Sequence, residues 1–252
     1  MDIISVTTGL AIANKLLGKT AEAIAEDLKN LYSKGRDKII EVALRKTPNI
    51  NDGGQSNLRV ARDVFFNGSF TDEAICAEYF GGILASSRSS DCKDDRGVYY
   101  TDIIKSLSSK QLLSHYIIYR TLNKLWAEMP SKSKRPNVGI ADELQNYSIW
   151  FATMELERMG LIIDKDFIAL NNKGLISDRF EAQQHKLSEE KMLPYTKVEP
   201  SMSGIQLYAV IHNKLEDWRK LPFEDFGEFP GIQLPKYYGF SIEDLIIKLN
   251  YK

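Results

Sequence analysis

The sequence predicts a mainly α-helical protein, with an N-terminal helical bundle and a C-terminal winged-helix-like α+β module. Apolar residues recur at helical spacing through residues 1–129, and the pattern becomes helix, short ribbon and helix in residues 137–220. A polar segment bounded by prolines, residues 130–136, separates these regions and is the predicted linker. Residues 221–252 form an aromatic C-terminal extension.

The composition is that of a globular protein, since 43% of the 252 residues are hydrophobic and 27% are charged. The 33 basic and 34 acidic residues give a net charge of −1, so there is no general attraction to nucleic acid or anionic lipid. No apolar run approaches the roughly 18–20 residues that a membrane-spanning helix needs. The first residues lack the pattern of a secretory signal, and two cysteines do not make a disulfide scaffold. We therefore expect a cytoplasmic protein of a microbe.

A long amphipathic helix is predicted at the N-terminus. Its apolar stripe repeats every seven residues and consists of Ile3, Leu10, Leu17, Ile24 and Leu31. Gly18 and Gly35 are weak points at which the helix could bend or break. The turn-rich segment 48–54 ends the helical region.

The same stripe provides the first candidate partner-binding residues, Leu10, Leu17 and Ile24. Helix packing is the preferred interpretation, either within the chain or against a second copy in a homo-oligomer. The segment 9–28 is rich in Gly and Ala, so contact with a membrane surface stays open as an alternative.

Further helices are predicted up to the linker. Thr71 is a suitable N-cap for the second of them, and Gly81 and Gly82 within it indicate close helix packing rather than a phosphate-binding loop. A polar loop, residues 86–97, follows that helix. The predicted ranges are 58–66, 71–84, 99–107 and 110–129, with Ser108 or Ser109 as the cap of the last.

The region after the linker is predicted to mix helix and strand. The expected elements are a helix over 142–159, a short hairpin over 161–170, a loop over 171–190, a strand over 193–198 and a helix over 202–215. This order resembles a winged-helix module.

The spacing of reactive residues predicts no catalytic, cofactor or metal site. The three histidines are scattered, and neither Cys76 nor Cys92 has a Cys or His at ligand spacing. The acidic cluster Asp91, Asp94 and Asp95 could bind a cation such as Mg²⁺, but a solvated loop is the preferred interpretation. We expect a non-enzymatic protein, with an enzyme whose site is assembled only by folding as the alternative.

A winged helix often binds DNA, so charge is the relevant test. Residues 110–220 contain 16 Lys and Arg against 14 Asp and Glu, whereas DNA-reading domains are usually far more basic. Lys132, Lys134 and Arg135 could form a small phosphate-binding patch, but a solvated linker explains these residues equally well. Nucleic acid is therefore not the expected partner.

The C-terminal extension is too rich in aromatic residues for a disordered tail. We expect it to pack on the body of the protein or on a partner. Its candidate partner-binding residues are Phe223, Phe226, Phe229, Tyr237 and Tyr238. Ser241 is the predicted cap of a final helix.

Several runs of residues resemble the Abi-alpha family of bacterial abortive-infection proteins. They are Asn57-Leu-Arg-Val-Ala-Arg62, Thr71-Asp-Glu73, Tyr79-Phe-Gly-Gly-Ile-Leu-Ala-Ser-Ser87, the segment 99–111, Leu156-Glu-Arg-Met-Gly-Leu-Ile162 and Ser203-Gly-Ile-Gln-Leu-Tyr208. The resemblance covers residues 10–213. Two features depart from the family pattern: residues 200–204 lack its threonine before glycine, and the aromatic extension lies outside it.

The resemblance implies a mostly helical protein of bacterial defence against phage, with no catalytic residues to carry over. We therefore predict a non-enzymatic anti-phage protein that contacts a phage or host protein, as a sensor of infection or an effector of growth arrest. Two alternatives stay open. One is a winged-helix regulator that binds DNA, and the other is an effector that acts on membranes through the N-terminal helix.

Overall fold

The structure, a computed structural model, describes residues 21–70 and 73–250, with side chains from Lys29 onward except that of Lys132. About half of the chain is helical and a small antiparallel sheet has four strands, so the prediction of a mostly helical chain with an α+β part is confirmed at this level. The helices are α1 (Ala21–Arg45), α2 (Leu58–Gly68), α3 (Ala74–Ser86), α4 (Gly97–Ile104), α5 (Ser109–Glu128), α6 (Ala141–Leu144), α7 (Thr153–Arg158), α8 (Ile163–Asn172), α9 (Met202–Ile211) and α10 (Ile242–Lys248). Two 3-10 helices span Lys132–Lys134 and Leu215–Lys220. The strands are β1 (Gln55–Ser56), β2 (Arg88–Ser89), β3 (Ile149–Ala152), β4 (Ile176–Lys186), β5 (Met192–Pro200) and β6 (Tyr238–Gly239).

The described part of the predicted N-terminal helix is a single helix, α1, which continues through Gly35. A Cβ atom at Gly35 would lie 2.2 Å from the backbone oxygen of Ser69, so the glycine allows the end of α2 to approach α1 closely. Gly18, Leu10 and Leu17 lie outside the described residues, as does the side chain of Ile24.

Helix α3 is the buried helix of the N-terminal half, and residues 75–85 are all buried. The prediction of close packing at its glycine pair is confirmed. A Cβ at Gly82 would lie 2.2 Å from the backbone oxygen of Ile211 at the end of α9, and one at Gly81 would lie 2.6 Å from Val42 of α1. The predicted cap Thr71 lies outside the described residues.

Helix α5 lies at the centre of the core. Ser108 is its cap, and the capping box with Gln111 satisfies backbone donors at both residues. Most side chains from Leu112 to Trp126 are buried. The hydrophobic core extends from Ile39 in α1 to Tyr238 in β6, so residues on both sides of the predicted linker pack in it.

Within the predicted linker, Arg135 binds main-chain oxygens rather than lying in a solvated patch. It donates to the carbonyl oxygens of Pro222 at 3.0 Å, Ala127 at 3.1 Å and Met129 at 3.2 Å. Lys134 accepts a hydrogen bond from the Tyr147 hydroxyl through its own carbonyl oxygen. These contacts fix the linker against the end of α5 and the C-terminal extension.

The predicted helix over 142–159 is wrong. The segment forms α6, then strand β3, then α7. In β3, Ile149 and Phe151 are fully buried while Trp150 between them is partly exposed, which is the alternation of a strand. Pairing with β5, where Ile149 faces Val198, overrides the helical spacing of the apolar residues.

The predicted hairpin over 161–170 and the predicted loop over 171–190 are also wrong. Residues 163–172 form helix α8, in which Ile163, Phe167 and Leu170 share the buried face at helical spacing. The polar segment that follows is strand β4, and its backbone pairs with β5 over eight residue pairs. The expected strand over 193–198 is confirmed as part of β5, and the expected helix over 202–215 as α9, which ends at Ile211.

The larger sheet has the strand order β4-β5-β3-β6, and all its pairs are antiparallel. Helices α7 and α8 lie between β3 and β4 in the sequence. Strand β6 brings the C-terminal extension to the sheet, where Tyr238 faces Phe151.

Candidate functional surfaces

The structure places most of the predicted partner-binding aromatics of the extension in the chain's own core. Phe226, Phe229 and Tyr238 are buried, with 6%, 2% and 7% of their surface exposed, and Tyr237 is half-buried. Phe223 alone among the five is exposed. Of the two expected outcomes, packing on the body of the protein is the one observed.

Residues 221–232 form a strap that has no helix or strand and crosses α5. Side chains of α5 bind its backbone. Asn123 donates to the carbonyl oxygens of Leu221 and Glu224, each at 2.7 Å, and accepts from the Phe226 N–H at 3.0 Å. The Tyr116 hydroxyl accepts from the Phe229 N–H at 2.8 Å.

Arg120 lies between these two residues on the same stripe of α5 and binds the acidic side chains of the strap. Its side chain is 4% exposed, and it donates to the carboxylates of Asp225 and Glu228, the latter at 2.8 Å. Burial raises the pKa of the Asp225 carboxyl, but hydrogen bonds from Arg120 and from the Gly227 N–H outweigh burial and leave that pKa below its ordinary value.

Two phenylalanines of the strap insert between aromatic side chains of the body. The Phe229 ring stacks on Tyr116 with centroids 4.3 Å apart and on His212 at 4.9 Å. The Phe226 ring is parallel to Tyr208 of α9 at 6.3 Å. We call the site formed on α5 and α9 by Tyr116, Arg120, Asn123, Tyr208 and His212 the α5 groove.

Lys46, directly after α1, adds a buried cation beside the groove. Its Nζ binds Glu78 Oε2 at 2.7 Å, the backbone oxygen of Glu78 at 2.9 Å and that of Ile211 at 2.8 Å. Burial lowers the pKa of Lys46 to about 8 although the Glu78 carboxylate acts in the opposite direction. Arg45 also pairs with Glu78. This cluster fixes the end of α1 to α3 and α9.

Two histidines lie near the strap, His115 fully buried and His212 partly buried. His115 Nε2 lies 3.1 Å from the carbonyl oxygen of Gly204, which can only accept a hydrogen bond, so neutral His115 carries its proton on Nε2. Its other ring nitrogen, Nδ1, then accepts a hydrogen bond from the Tyr79 hydroxyl, 2.6 Å away. Burial lowers the pKa of His115 to about 3. Burial, with the nearby Lys46 and Arg120, lowers the pKa of His212 well below its ordinary value. Among the described residues, no group forms a hydrogen bond with His212 Nε2.

A second candidate surface lies on α2 and α4, on the outside of the helical region. Leu58 and Phe66 of α2 are 83% and 70% exposed, and Tyr99 of α4 is 59% exposed. A groove of about 520 Å³ between the helices is lined by Arg62, Asp63, Phe66, Asn67, Val98, Thr101, Asp102 and Lys105. We call this area the α2–α4 surface.

A smaller apolar groove of about 310 Å³ lies beside the C-terminal end of α1. Ile40, Leu44 and Ile50 line it and are 37%, 52% and 52% exposed. Arg88 closes one side, where it is held by the carboxylate of Asp52 at 2.7 Å. Its apolar side chains are less exposed than those of the α2–α4 surface.

The outer face of α8 and the β4–β5 hairpin is neither basic nor uniformly polar. Residues 163–192 contain five basic and six acidic side chains. Met154, Ile162 and Ile168 on and beside α7 and α8 are 41%, 54% and 47% exposed. Such a face lacks the positive charge that contacts to a phosphate backbone require.

In residues 21–70 and 73–250, no group of three or more His, Cys, Asp or Glu is arranged to hold a metal ion. Asp94 pairs with Arg96 at 2.6 Å and Asp95 with Arg59 at 3.4 Å, so two of the three carboxylates of the acidic cluster are in ion pairs. No helix in those residues combines the length and apolarity needed to cross a membrane.

The comparisons with family models, with curated proteins and with solved structures gave no match to this chain. The resemblance to the Abi-alpha family therefore stays a prediction from the sequence.

Proposed function

We propose that this chain is a cytoplasmic, non-enzymatic bacterial protein that protects against phage by binding another protein through the α2–α4 surface. The observation that carries the binding role is the exposure of Leu58, Phe66 and Tyr99 on two helices that pack together. The role in phage defence is supported by the sequence resemblance alone.

The chemistry of the α2–α4 surface is that of a protein interface. Three large side chains are exposed on these adjacent helices, and an aromatic residue such as Phe66 is a typical anchor at an association site. The groove beside Phe66 is lined mainly by polar and charged side chains, including the ion pairs Arg62–Asp63 and Lys105–Asp102, at 2.7 and 2.5 Å. A partner would therefore cover Phe66 with apolar groups and meet the groove with polar ones.

A winged-helix interpretation of residues 137–220 is part of the same proposal. With α5 added before this region, and with a 3-10 helix and α6 between α5 and β3, the order is helix, strand β3, helices α7 and α8, and the β4–β5 hairpin, and β5 lies between β3 and β4. In this interpretation α8 is the helix that would meet a ligand. Its exposed Ile168, with the small acidic excess around it, favours a protein partner over DNA.

Phage challenge tests the proposal directly. Bacteria that express the chain are infected with a panel of phages, and plaque counts are compared with those of the empty vector. We expect at least a tenfold reduction for one or more phages, its loss in Phe66→Glu and its retention in Ile247→Glu. Ile247 is a matched control because it is 72% exposed on α10, a different helix. Equal thermal unfolding of the three proteins shows that folding is preserved.

The outcomes separate the two parts of the proposal. If the wild-type chain protects against none of the phages, the defence role is wrong. If Phe66→Glu protects as well as the wild type, defence stands but the α2–α4 surface is not the contact site. The membrane-acting alternative depends on residues 9–28. If the chain causes liposome leakage that disappears in Leu17→Asp, action on membranes replaces protein binding as the mode of defence.

A further inference from the structure

The strap is bound to α5 in the way that a peptide ligand is bound to a receptor. Its backbone–backbone hydrogen bonds are local: Phe223 N and Glu224 N donate to the Lys220 carbonyl of the preceding 3-10 helix, and Ile232 N donates to Phe229 O at 3.3 Å. Side chains of the body bind further backbone groups of the strap, of which Asn123 alone binds three. A segment whose backbone is bound by side chains of a receptor does not have to form a helix or join a sheet.

The α5 groove also binds side chains of the strap, and these contacts repeat along the strap. Asp225 and Glu228 both pair with Arg120, and each is followed by a phenylalanine that enters an aromatic socket. Charge and socket therefore alternate along the strap. A groove with one buried cation between two aromatic sockets selects a segment in which acidic and aromatic residues are adjacent.

Burying the groups of the groove is costly unless they are paired. Arg120 is almost completely buried while both of its carboxylate partners are more than half exposed, so the cation is fixed in the body and the anions come from the surface. The His212 ring also lies beneath the strap, where it stacks on Phe229 at 4.9 Å. The strap therefore covers both a fixed cation and an aromatic surface of the body.

We propose that the α5 groove is a binding site for an extended protein segment with adjacent acidic and aromatic residues, and that the strap occupies it in cis. A partner protein carrying such a segment displaces the strap and takes over its contacts with Tyr116, Arg120 and Asn123. Gly227, with φ of +97°, makes the turn between the two acidic–aromatic pairs of the strap. The α5 groove shares no residue with the α2–α4 surface, so either assignment can fail alone.

A labelled peptide of residues 221–232 is the probe, and the full-length chain is the receptor. The receptor variant Asp225→Asn/Glu228→Gln weakens the cis strap but leaves the groove intact. We expect this variant to bind the peptide at least tenfold more tightly than the wild type does, by fluorescence anisotropy. The matched control is Glu189→Gln/Glu190→Gln, which changes charge equally at exposed positions of the β4–β5 hairpin and should bind like the wild type.

A peptide with the same two amide substitutions should bind the weakened receptor at least tenfold less tightly than the natural peptide, because it offers Arg120 no carboxylate. Hydrogen exchange of the strap amides provides a second measurement, and it should accelerate in the weakened receptor while α5 stays protected. Accelerated exchange without peptide binding overturns the proposal. Unchanged exchange of the strap also overturns it, because the carboxylates then do not hold the strap. Dimerisation of the weakened receptor at rising concentration, detected by light scattering, would assign the groove to the strap of a second copy instead of a partner.

Discussion

The Nζ atom of Lys46 lies 4.1 Å from the centroid of the Phe229 ring, so a buried cation at the end of α1 contacts the strap through its aromatic face. The same ammonium group binds Glu78 and the last carbonyl of α9. One side chain therefore connects three parts of the chain that are far apart in sequence. Its replacement tests how strongly the helical region and the extension depend on each other.

Lys46→Met should lower the free energy of unfolding by about 2–4 kcal/mol, because it leaves the buried Glu78 carboxylate with Arg45 as its remaining partner. The double variant Lys46→Met/Glu78→Leu should recover at least half of this loss, since it removes both charges. Urea unfolding measures both. Lys173→Met, at an exposed position after α8, is the control and should change stability by less than about 0.5 kcal/mol. Equal stability of the single and double variants would contradict a buried charge pair.

Stability should fall as the pH is lowered below 6.5, because His115 and His212 are neutral in the folded state. The folded pKa of His115 is about 3, below the unfolded value of 6.5, so at this residue only the unfolded state gains protons as the pH falls from 7 to 5; the lowered pKa of His212 acts in the same direction. His115 should contribute about 2 kcal/mol to the loss of stability over this range. In His115→Gln, the difference in unfolding free energy between pH 7 and pH 5 should be smaller by that amount.

The control for the pH experiment is His185→Gln, on strand β4 and partly exposed. Urea unfolding at both pH values measures the differences. If His115→Gln shows the same pH dependence as the wild type, His115 is not held neutral in the core.

Gly82→Ala should destabilise the protein by about 2–3 kcal/mol, since the added methyl group would lie 2.2 Å from the backbone oxygen of Ile211. Helix propensity alone predicts the opposite sign, a gain of about 1 kcal/mol. Gly174→Ala is the comparison, because its site is open and only the positive φ of 67° opposes the change, at about 1 kcal/mol. A stabilised Gly82→Ala protein, measured by thermal unfolding, would mean that α3 and α9 do not approach so closely.

Duplex DNA should bind this chain no more tightly than about 10⁻⁴ M at physiological salt, because residues 163–192, which include α8 and most of the β4–β5 hairpin, have no excess of basic side chains. Fluorescence anisotropy with a labelled duplex measures the affinity. Micromolar or tighter binding that weakens steeply with salt would favour the DNA-binding alternative. In that case Lys165→Glu should bind the duplex less tightly than the wild type does, since this exposed lysine lies on α8.

The helical half of the fold could be predicted from the sequence because its signals are local. Ser108 with Gln111 marks the start of α5, and the glycine pair of α3 marks a close helix contact. Strand β3 could not be predicted in this way. Its inward Ile149 and Phe151 lie among residues that also fit a helical stripe, and pairing with β5, more than 40 residues later, decides the outcome.

The candidate sites show the same limit. The aromatic richness of the extension was visible, but not which of its residues would be buried. The spacing of Tyr116, Arg120 and Asn123, which places them on one stripe of α5, was the available signal for the α5 groove. Without the fold, nothing connected that stripe to a segment about 100 residues later, and the exposure of Leu58 and Phe66 was equally hidden by their helical spacing.

The strap is tied to the sheet by a very short length of chain. Residues 233–237 alone separate it from β6, whose residues Tyr238 and Gly239 pair with the edge of β3. Five residues reach at most about 18 Å when fully extended, so a strap that leaves α5 by more than this distance must peel β6 away. The unpaired backbone of β3 would then be free to pair with another strand. Release of the strap from α5 would in this way change the edge of the sheet at β3.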